Sequence, residues 1–270
     1  MDLQLQDVHV LITGASGGIE NLAEQGAKVT AHYNSNPAAL EPLLAEFGAS
    51  RVFAGQAELT SEADVARLFV EANTALGPVQ IAIINHGIWP TEDIPVHEMP
   101  LSRWQKTIDT NLTAAFLVAR DYLKQLKDAP DSLKDKASIC FVGSAAGKFG
   151  EACHADYAAT KSALMYGFTL SLKNEIVKIA PRGRVNTLAP GWVYTPMAEE
   201  TLKDPVVVYR ALATTPLKKV AQAVDCANQL AVLSSPALSG HITGQVLMLA
   251  GGMEGRLLNK QTETGELAPY

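Results

Sequence analysis

The sequence predicts an α/β protein in which helices cover both faces of one parallel β-sheet. Short apolar, β-branched runs recur along the chain, and amphipathic helical stretches fill the gaps between them. Runs that are apolar throughout are typical of strands buried on both faces of a parallel sheet. Their alternation with helices indicates right-handed βαβ units and a doubly wound, three-layered fold of about seven strands.

The prediction consists of seven strands and four helices. The strands are expected at 8–12, 28–33, 51–54, 80–84, 137–142, 184–189 and 245–249. The helices are expected at 61–76, 101–127, 155–179 and 222–233. Thr60 or Ser61 caps the first helix, and Pro181 and Gly183 end the third. Without a repeat or a change in composition, residues 1–258 are expected to form one domain and the polar segment 259–270 a loose tail.

Composition excludes several classes of protein. The chain has 270 residues, of which 47% are hydrophobic and 19% charged, so a packed core is expected rather than disorder. A net charge of −6 argues against nucleic acid as a partner. An apolar run of the roughly 18 residues that cross a membrane is not found, nor is a basic N-terminal signal. Cys140, Cys153 and Cys226 have neither metal-ligand nor disulfide spacing, so a reduced, cytoplasmic protein is expected.

A glycine-rich turn follows the first strand, over residues 13–19. Glycines there let the backbone approach a pyrophosphate, and the next helix offers free N–H groups and a positive dipole end. A tight turn without ligand is the alternative. The position after the first strand of a βαβ series favours the dinucleotide site.

Tyr157 and Lys161 stand four residues apart on a predicted helix, so both side chains share one face. A nearby ammonium stabilises a phenolate and lowers the pKa of the tyrosine, which allows proton exchange with a substrate oxygen near neutral pH. An exposed helical pair without function is the alternative. Ser144 lies just past the fifth strand, where doubly wound folds bind ligands, and Asn111 lies inside a long helix, at some cost in stability.

From about residue 8 to 252, the chain resembles the classical short-chain dehydrogenase/reductase family. The resemblance rests on Thr13, Gly14 and Gly18 of the turn and on the later set Asn111, Ser144, Tyr157 and Lys161. The resemblance implies a Rossmann-type, NAD(P)-binding domain. It also implies an enzyme that interconverts a carbonyl and a secondary alcohol by hydride transfer.

Roles for four residues follow from the resemblance. Tyr157 is the acid/base, and Lys161 lowers its pKa and binds the nicotinamide ribose. Ser144 hydrogen-bonds the substrate oxygen, and Asn111 holds a water that links Lys161 to solvent. The implied cofactor contacts are Gly14, Ser16, Gly17, Gly18, Ile19, Asn34, Ser35, Glu58, Leu59, Asn85, Gly87, Tyr157, Lys161, Pro190, Gly191, Val193 and Thr195.

The substrate is expected to be a small carbonyl compound or alcohol, and no metal is expected. Candidate pocket residues are Trp89, Pro90, His154, Trp192 and Met197, beneath a lid at about 192–217. His86 replaces a small residue of the family pattern and is expected to be a loop histidine without a chemical role. The resemblance further suggests a homo-oligomer, a tetramer or dimer, built through the long helices.

The second strand ends at His32, Tyr33 and Asn34, without the acid that usually binds the ribose of NAD. Neutral groups accept a 2′-phosphate that a carboxylate would repel. NADP is therefore the expected cofactor, with NAD as the alternative.

One departure from the family pattern concerns the nucleotide turn. Glu20 replaces the last glycine, and about five residues of the following helix, or ~7 Å, are absent. Three explanations remain: a shorter helix that retains binding, a natural variant that binds nucleotide weakly, or residues missing from the sequence near Ile19–Glu20. The alternative function is accordingly a catalytically impaired or non-enzymatic relative.

Overall fold

The structure is a computed structural model of the chain, and it describes residues 2–15, 20–195, 198 and 201–254. Seven parallel strands form the main sheet, in the spatial order β3-β2-β1-β4-β5-β6-β9. They are β1 His9–Thr13, β2 Lys28–Tyr33, β3 Val52–Gln56, β4 Ile81–Ile84, β5 Ser138–Val142, β6 Arg184–Pro190 and β9 Val246–Leu249. A separate parallel pair joins β7 Val193–Tyr194 to β8 Ala221–Gln222.

Helices connect the strands. They are α1 Glu20–Glu24, α2 Glu41–Phe47, α3 Glu62–Leu76, α4 Leu101–Ile108, α5 Ala114–Asp128, α6 Asp131–Lys134, α7 Ala145–Phe149, α8 Ala155–Ser162, α9 Thr169–Ile176, α10 Pro205–Ala213, α11 Ala223–Ser234 and α12 Pro236–Ser239. Short 3₁₀ turns span Ala38–Leu40 and Thr201–Lys203. Among the described helices, none is both long and apolar enough to cross a membrane.

Two cores confirm the three-layered, doubly wound arrangement. Successive residues of a strand point to opposite faces, so Leu11 packs under α3 and α5, whereas Val10 and Ile12 pack under α1 and α11. The spatial order reverses between β1 and β4, which opens a crevice at the carboxyl ends of these strands. The predicted strands match the observed ones within two residues at each end.

The two long helices that flank the crevice are not regular throughout. A π-helical turn, Asp109–Thr113, joins α4 to α5, and a second, Ala163–Phe168, joins α8 to α9. Such turns are often found at functional sites.

The first crossover is short, since α1 has five residues. The glycine turn at 16–19 and the step from Ile19 to Glu20 lie outside the described residues. An Ile19–Glu20 Cα–Cα distance far from ~3.8 Å would indicate residues missing from the sequence, but Ile19 is not among the described residues.

Candidate active site

One cleft of about 1500 Å³ lies at the carboxyl ends of the strands and collects residues from six of them. Of the predicted site residues, those that line it are Gly14, Asn34, Glu58, Leu59, Asn85, Gly87, Ser144, Tyr157, Lys161, Pro190, Gly191, Val193 and Thr195. Ser16, Gly17, Gly18 and Ile19 lie outside the described residues, as does Met197. Ser35 is exposed and Asn111 is fully buried, and neither belongs to the described lining.

Tyr157 and Lys161 lie on one side of α8, with the Lys161 Nζ atom 5.6 Å from the centre of the Tyr157 ring. The ammonium is buried and donates a hydrogen bond to the Val142 carbonyl at 2.9 Å. Burial lowers the pKa of Lys161 to about 8, because the charged form loses solvation.

The pKa of Tyr157 in the free chain depends mainly on burial. Burial raises it above its ordinary value, and a side-chain hydrogen bond with Ser144 offsets part of that rise. Lys161 is not among the groups that set this pKa in the free chain, since its ammonium donates to the Val142 carbonyl and desolvation of Tyr157 dominates. The tyrosine therefore keeps its proton at neutral pH. That Lys161 lowers the pKa of Tyr157 stays a prediction.

Ser144 is placed by the end of β5. It is the N-cap of α7, and its Oγ accepts a hydrogen bond from the Ala146 N–H at 3.2 Å. A cap in the extended region followed at once by a helix fixes the side chain beside Tyr157.

Asn111 lies behind the cleft, in the first π-helical turn. Its Oδ1 accepts from the Ile88 N–H at 2.7 Å, and its Nδ2 donates to the Ile88 carbonyl at 3.0 Å. A Cβ atom added at Gly87 would lie 3.2 Å from the Asn111 Oδ1 and 3.5 Å from the Lys161 Nζ. Asn111 thus holds the loop after β4 in place next to Lys161, and a side chain at position 87 would crowd the Asn111 amide.

The nucleotide end of the cleft begins with Gly14. Its φ is +65°, and a Cβ atom there would lie 2.8 Å from the Cα of His86. The Asn85 Nδ2 donates to the Gly14 carbonyl at 2.8 Å, and the Gly14 N–H donates to the His32 Nδ1 at 3.1 Å. Only glycine fits this position, so the backbone stays open toward the cleft.

His86 lies in the loop after β4, and its side chain is partly buried. Its Nδ1 lies 2.8 Å from the Thr13 Oγ1, and within the described part of the chain its buried Nε2 has no hydrogen-bond partner. Burial lowers the pKa of His86 to about 3, and electrostatic interactions with His32 and with the Lys161 ammonium act in the same direction.

The carboxylate of Glu58 lies at the far end of the cleft. It comes from the segment after β3 and not from the end of β2, which has no acid. The Asn34 Nδ2 donates to the Glu58 Oε2 at 3.2 Å. The N–H and hydroxyl of Thr60 donate to the other oxygen at 3.1 and 3.0 Å. The hydrogen bond from the Thr60 backbone is the main reason why the pKa of Glu58 is lowered.

Aromatic rings form the wall beside Tyr157. Trp89 stacks on His154 with centroids 4.0 Å apart and meets the Tyr157 ring edge-on at 4.7 Å. The His154 Nε2 lies 2.8 Å from the Pro90 carbonyl, which fixes the imidazole. Trp192 lines the same cleft, and α10 lies in the predicted lid.

Sequence reasoning missed a polar cluster behind Tyr157. Asp156 is fully buried, and it accepts hydrogen bonds from Arg103 and Thr107. An acid directly before the predicted acid/base was the available signal. Among the described residues, there is no group of three or more His, Cys, Asp or Glu side chains that could hold a metal ion.

These features define an α/β protein with a dinucleotide-type cleft and a tyrosine, lysine and serine at its reacting end. A family model described as enoyl-(acyl carrier protein) reductase matches residues 15–254. The chain is 31% identical over 252 residues to a 3-oxoacyl-[acyl-carrier-protein] reductase of Synechocystis sp., with 90% of this chain and 95% of the relative covered. It is 32% identical over 259 residues to the enzyme of that name from Vibrio cholerae, with 93% and 99% covered.

Solved structures agree. A short-chain dehydrogenase/reductase from Brucella melitensis, titled a glucose/ribitol dehydrogenase, matches with a TM-score of 0.81 and 29% identity, over 93% of this chain and 98% of that one. A putative gluconate dehydrogenase from Agrobacterium tumefaciens matches with a TM-score of 0.84 and 25% identity, over 96% and 100%. The chain belongs to the short-chain dehydrogenase/reductase family and is an NAD(P)-dependent oxidoreductase that acts on a keto or hydroxyl group.

Proposed function

We propose that this protein is an NADP(H)-dependent reductase/dehydrogenase that interconverts a small ketone and its secondary alcohol, with Tyr157 as the acid/base. The observation that carries the proposal is that Tyr157, Ser144 and Lys161 line one cleft, with the Lys161 Nζ 5.6 Å from the centre of the Tyr157 ring on the same side of α8. The domain is proposed to span residues 1–258, with the lid at about 192–217.

The cleft suits a nicotinamide dinucleotide. Gly14 leaves the backbone bare where a Cβ would clash, and the cleft continues from Glu58 to Thr195 along the strand ends. When bound, the nicotinamide ring supplies or accepts the hydride. The residues proposed to hold the cofactor are Gly14, Ser16, Gly17, Gly18, Ile19, Asn34, Ser35, Glu58, Leu59, Asn85, Gly87, Tyr157, Lys161, Pro190, Gly191, Val193 and Thr195.

The side chains at the reacting end have separate tasks. A Tyr157 hydroxyl that remains protonated at neutral pH is a proton donor for a substrate oxygen. Ser144 donates to the same oxygen and fixes its position. Lys161 brings a positive charge that favours the phenolate formed once Tyr157 has given up its proton, and Asn111 fixes the loop beside Lys161.

The preference for NADP rests on two features of the far end. The second strand ends without an acid, and the negative charge of Glu58 is offset by three donors from Asn34 and Thr60. A 2′-phosphate therefore meets less repulsion there than beside a bare carboxylate. A larger kcat/KM with NADPH than with NADH is expected, and the reverse ratio would overturn the preference.

The substrate is proposed to be a small molecule that lies against Trp89. The aromatic wall formed by Trp89, His154 and Tyr157 favours a ketone with an apolar flank. The two relatives are named for acyl groups on a carrier protein, and a β-keto thioester is therefore one member of the ketone panel.

Assembly and location complete the proposal. Phe116, Tyr166 and Leu170 are 40–44% exposed on the long helices, which supports a homo-oligomer, a tetramer or dimer, joined through them. A cytoplasmic location is proposed because Cys140, Cys153 and Cys226 form no disulfide with one another.

The first test is a titration of the protein with NADPH, monitored by tryptophan fluorescence. The second test is turnover on a panel of ketones. Trp89 and Trp192 line the cleft, so saturable quenching with micromolar affinity is expected. NADPH oxidation with at least one ketone supports the proposal. The second candidate, an impaired relative, is favoured by the five residues of α1, and a folded protein that binds no nucleotide would establish it instead.

A further inference from the structure

The segment that carries Tyr157 is held by a buried ion pair. Asp156 lies in the first turn of α8, and its carboxylate is fully buried. The Arg103 Nε donates to one carboxylate oxygen at 3.1 Å, and the Thr107 Oγ1 donates to the same oxygen at 2.8 Å. The Arg103 Nη2 lies 3.5 Å from the other oxygen.

Arg103 uses its remaining donors on two loops. Its Nη1 donates to the Glu92 carbonyl at 2.6 Å, and its Nη2 donates to the Cys153 carbonyl at 3.1 Å. The Glu92 loop carries Trp89, and Cys153, with φ +65°, lies in the turn that leads into α8. A single guanidinium thus ties α4, the loop after β4 and the start of α8 together.

This placement does more than add stability. A buried ion pair is often no more stabilising than well-packed apolar residues, so its presence next to Tyr157 needs a further reason. The two segments that it joins carry the two sides of the aromatic contact, Trp89 on one and His154 with Tyr157 on the other. The planar fork of arginine sets directions as well as distances, which lysine does not.

On this geometry, and resting on the proposed function, we propose that Arg103 and Asp156 are positioning residues that set the Tyr157 hydroxyl relative to Ser144 and Trp89. Neither residue touches the substrate. Their loss displaces the first turn of α8 and with it the proton donor, while the nucleotide end of the cleft stays in place.

The experiment compares R103M, R103K and D156N with wild type in NADPH-dependent reduction of the best ketone of the panel. We expect kcat to fall about 10- to 100-fold in R103M and D156N, because a displacement of about 1 Å costs a rate of that order. The KM for NADPH is expected to stay within about twofold, and R103K to recover part of kcat. The matched control is R120M, which removes an arginine of α5 that pairs with Glu62 of α3 and with its neighbour Asp121, and its kcat should remain that of wild type.

Retention of wild-type kcat in R103M and D156N would overturn the proposal, whatever happens to their melting temperatures. An effect confined to KM would overturn it as well. If circular dichroism shows that R103M does not fold, the nearly isosteric D156N and the conservative R103K decide by the same criterion. A wild-type protein without turnover refutes the proposed function and the positioning role with it, whereas active wild type with unchanged variants refutes the positioning role alone.

Discussion

The buried ammonium of Lys161 leads to a pH dependence of nucleotide binding that can be worked out in advance. Its pKa is lowered to about 8 by burial, so the free protein loses this charge near pH 8. With this pKa, Lys161 is about nine-tenths protonated at pH 7 and about one-tenth protonated at pH 9. If NADPH binds the protonated form, its dissociation constant is about 10-fold larger at pH 9, a difference of about 1.4 kcal/mol.

The assay is a fluorescence titration of NADPH at pH values from 7 to 9, a range in which the cofactor 2′-phosphate is already ionised. Lys161→Arg is the matched control, because arginine stays charged over this pH range. The dissociation constant of NADPH from this variant should therefore not change with pH. A wild-type dissociation constant that is also flat from pH 7 to 9 would refute the reasoning, because the charge would then not contribute to binding.

Four further perturbations have expected outcomes. Gly14→Ala should destabilise the fold by about 2–5 kcal/mol in thermal unfolding, because its φ of +65° and the 2.8 Å approach to His86 both penalise a Cβ; an unchanged melting temperature would contradict this. Tyr122→Phe should cost about 1–3 kcal/mol of unfolding free energy with kcat unchanged, since it removes a buried hydrogen bond of 2.6 Å to the Gln80 carbonyl far from the cleft. Glu58→Gln should raise the NADPH to NADH ratio of kcat/KM by removing a negative charge from the far end, and an unchanged ratio would place the 2′-phosphate elsewhere. Burial lowers the pKa of His9 to about 4, so the stability that depends on neutral His9 is complete above about pH 6.5. Up to about 3 kcal/mol of the free energy of unfolding is lost as the pH falls toward 4. A His9→Gln variant should lack this pH-dependent loss in acid unfolding.

The sheet and its crevice could be predicted because strand pattern and chain order are local signals. The run of residues in β4, Ile81–Ile84, is apolar throughout and can be recognised without any knowledge of its neighbours. The fixed hand of βαβ units then brings the carboxyl ends of the strands together. Tyr157, Lys161 and Ser144 could be assigned to one site from their place along these elements.

What the sequence did not reveal depends on contacts between distant segments. The partner of Asp156 is 53 residues away in the sequence, and nothing in the local pattern links them. Glu58 comes from the end of β3 yet reaches Asn34 after β2, because these strands are neighbours in the sheet. The rise of the Tyr157 pKa in the free chain was not predicted either, since helical spacing gives the proximity of Lys161 but not the burial of the tyrosine.

Whether Tyr157 is the proton donor is tested most directly by the rate of NADPH-dependent ketone reduction by Tyr157→Phe compared with wild type. Because phenylalanine keeps the ring against Trp89 but has no proton to give, kcat should fall about 100-fold or more, with the dissociation constant for NADPH little changed. A variant that reduces the same ketones at the wild-type rate would contradict this role of Tyr157, and the proton donor would have to be another group.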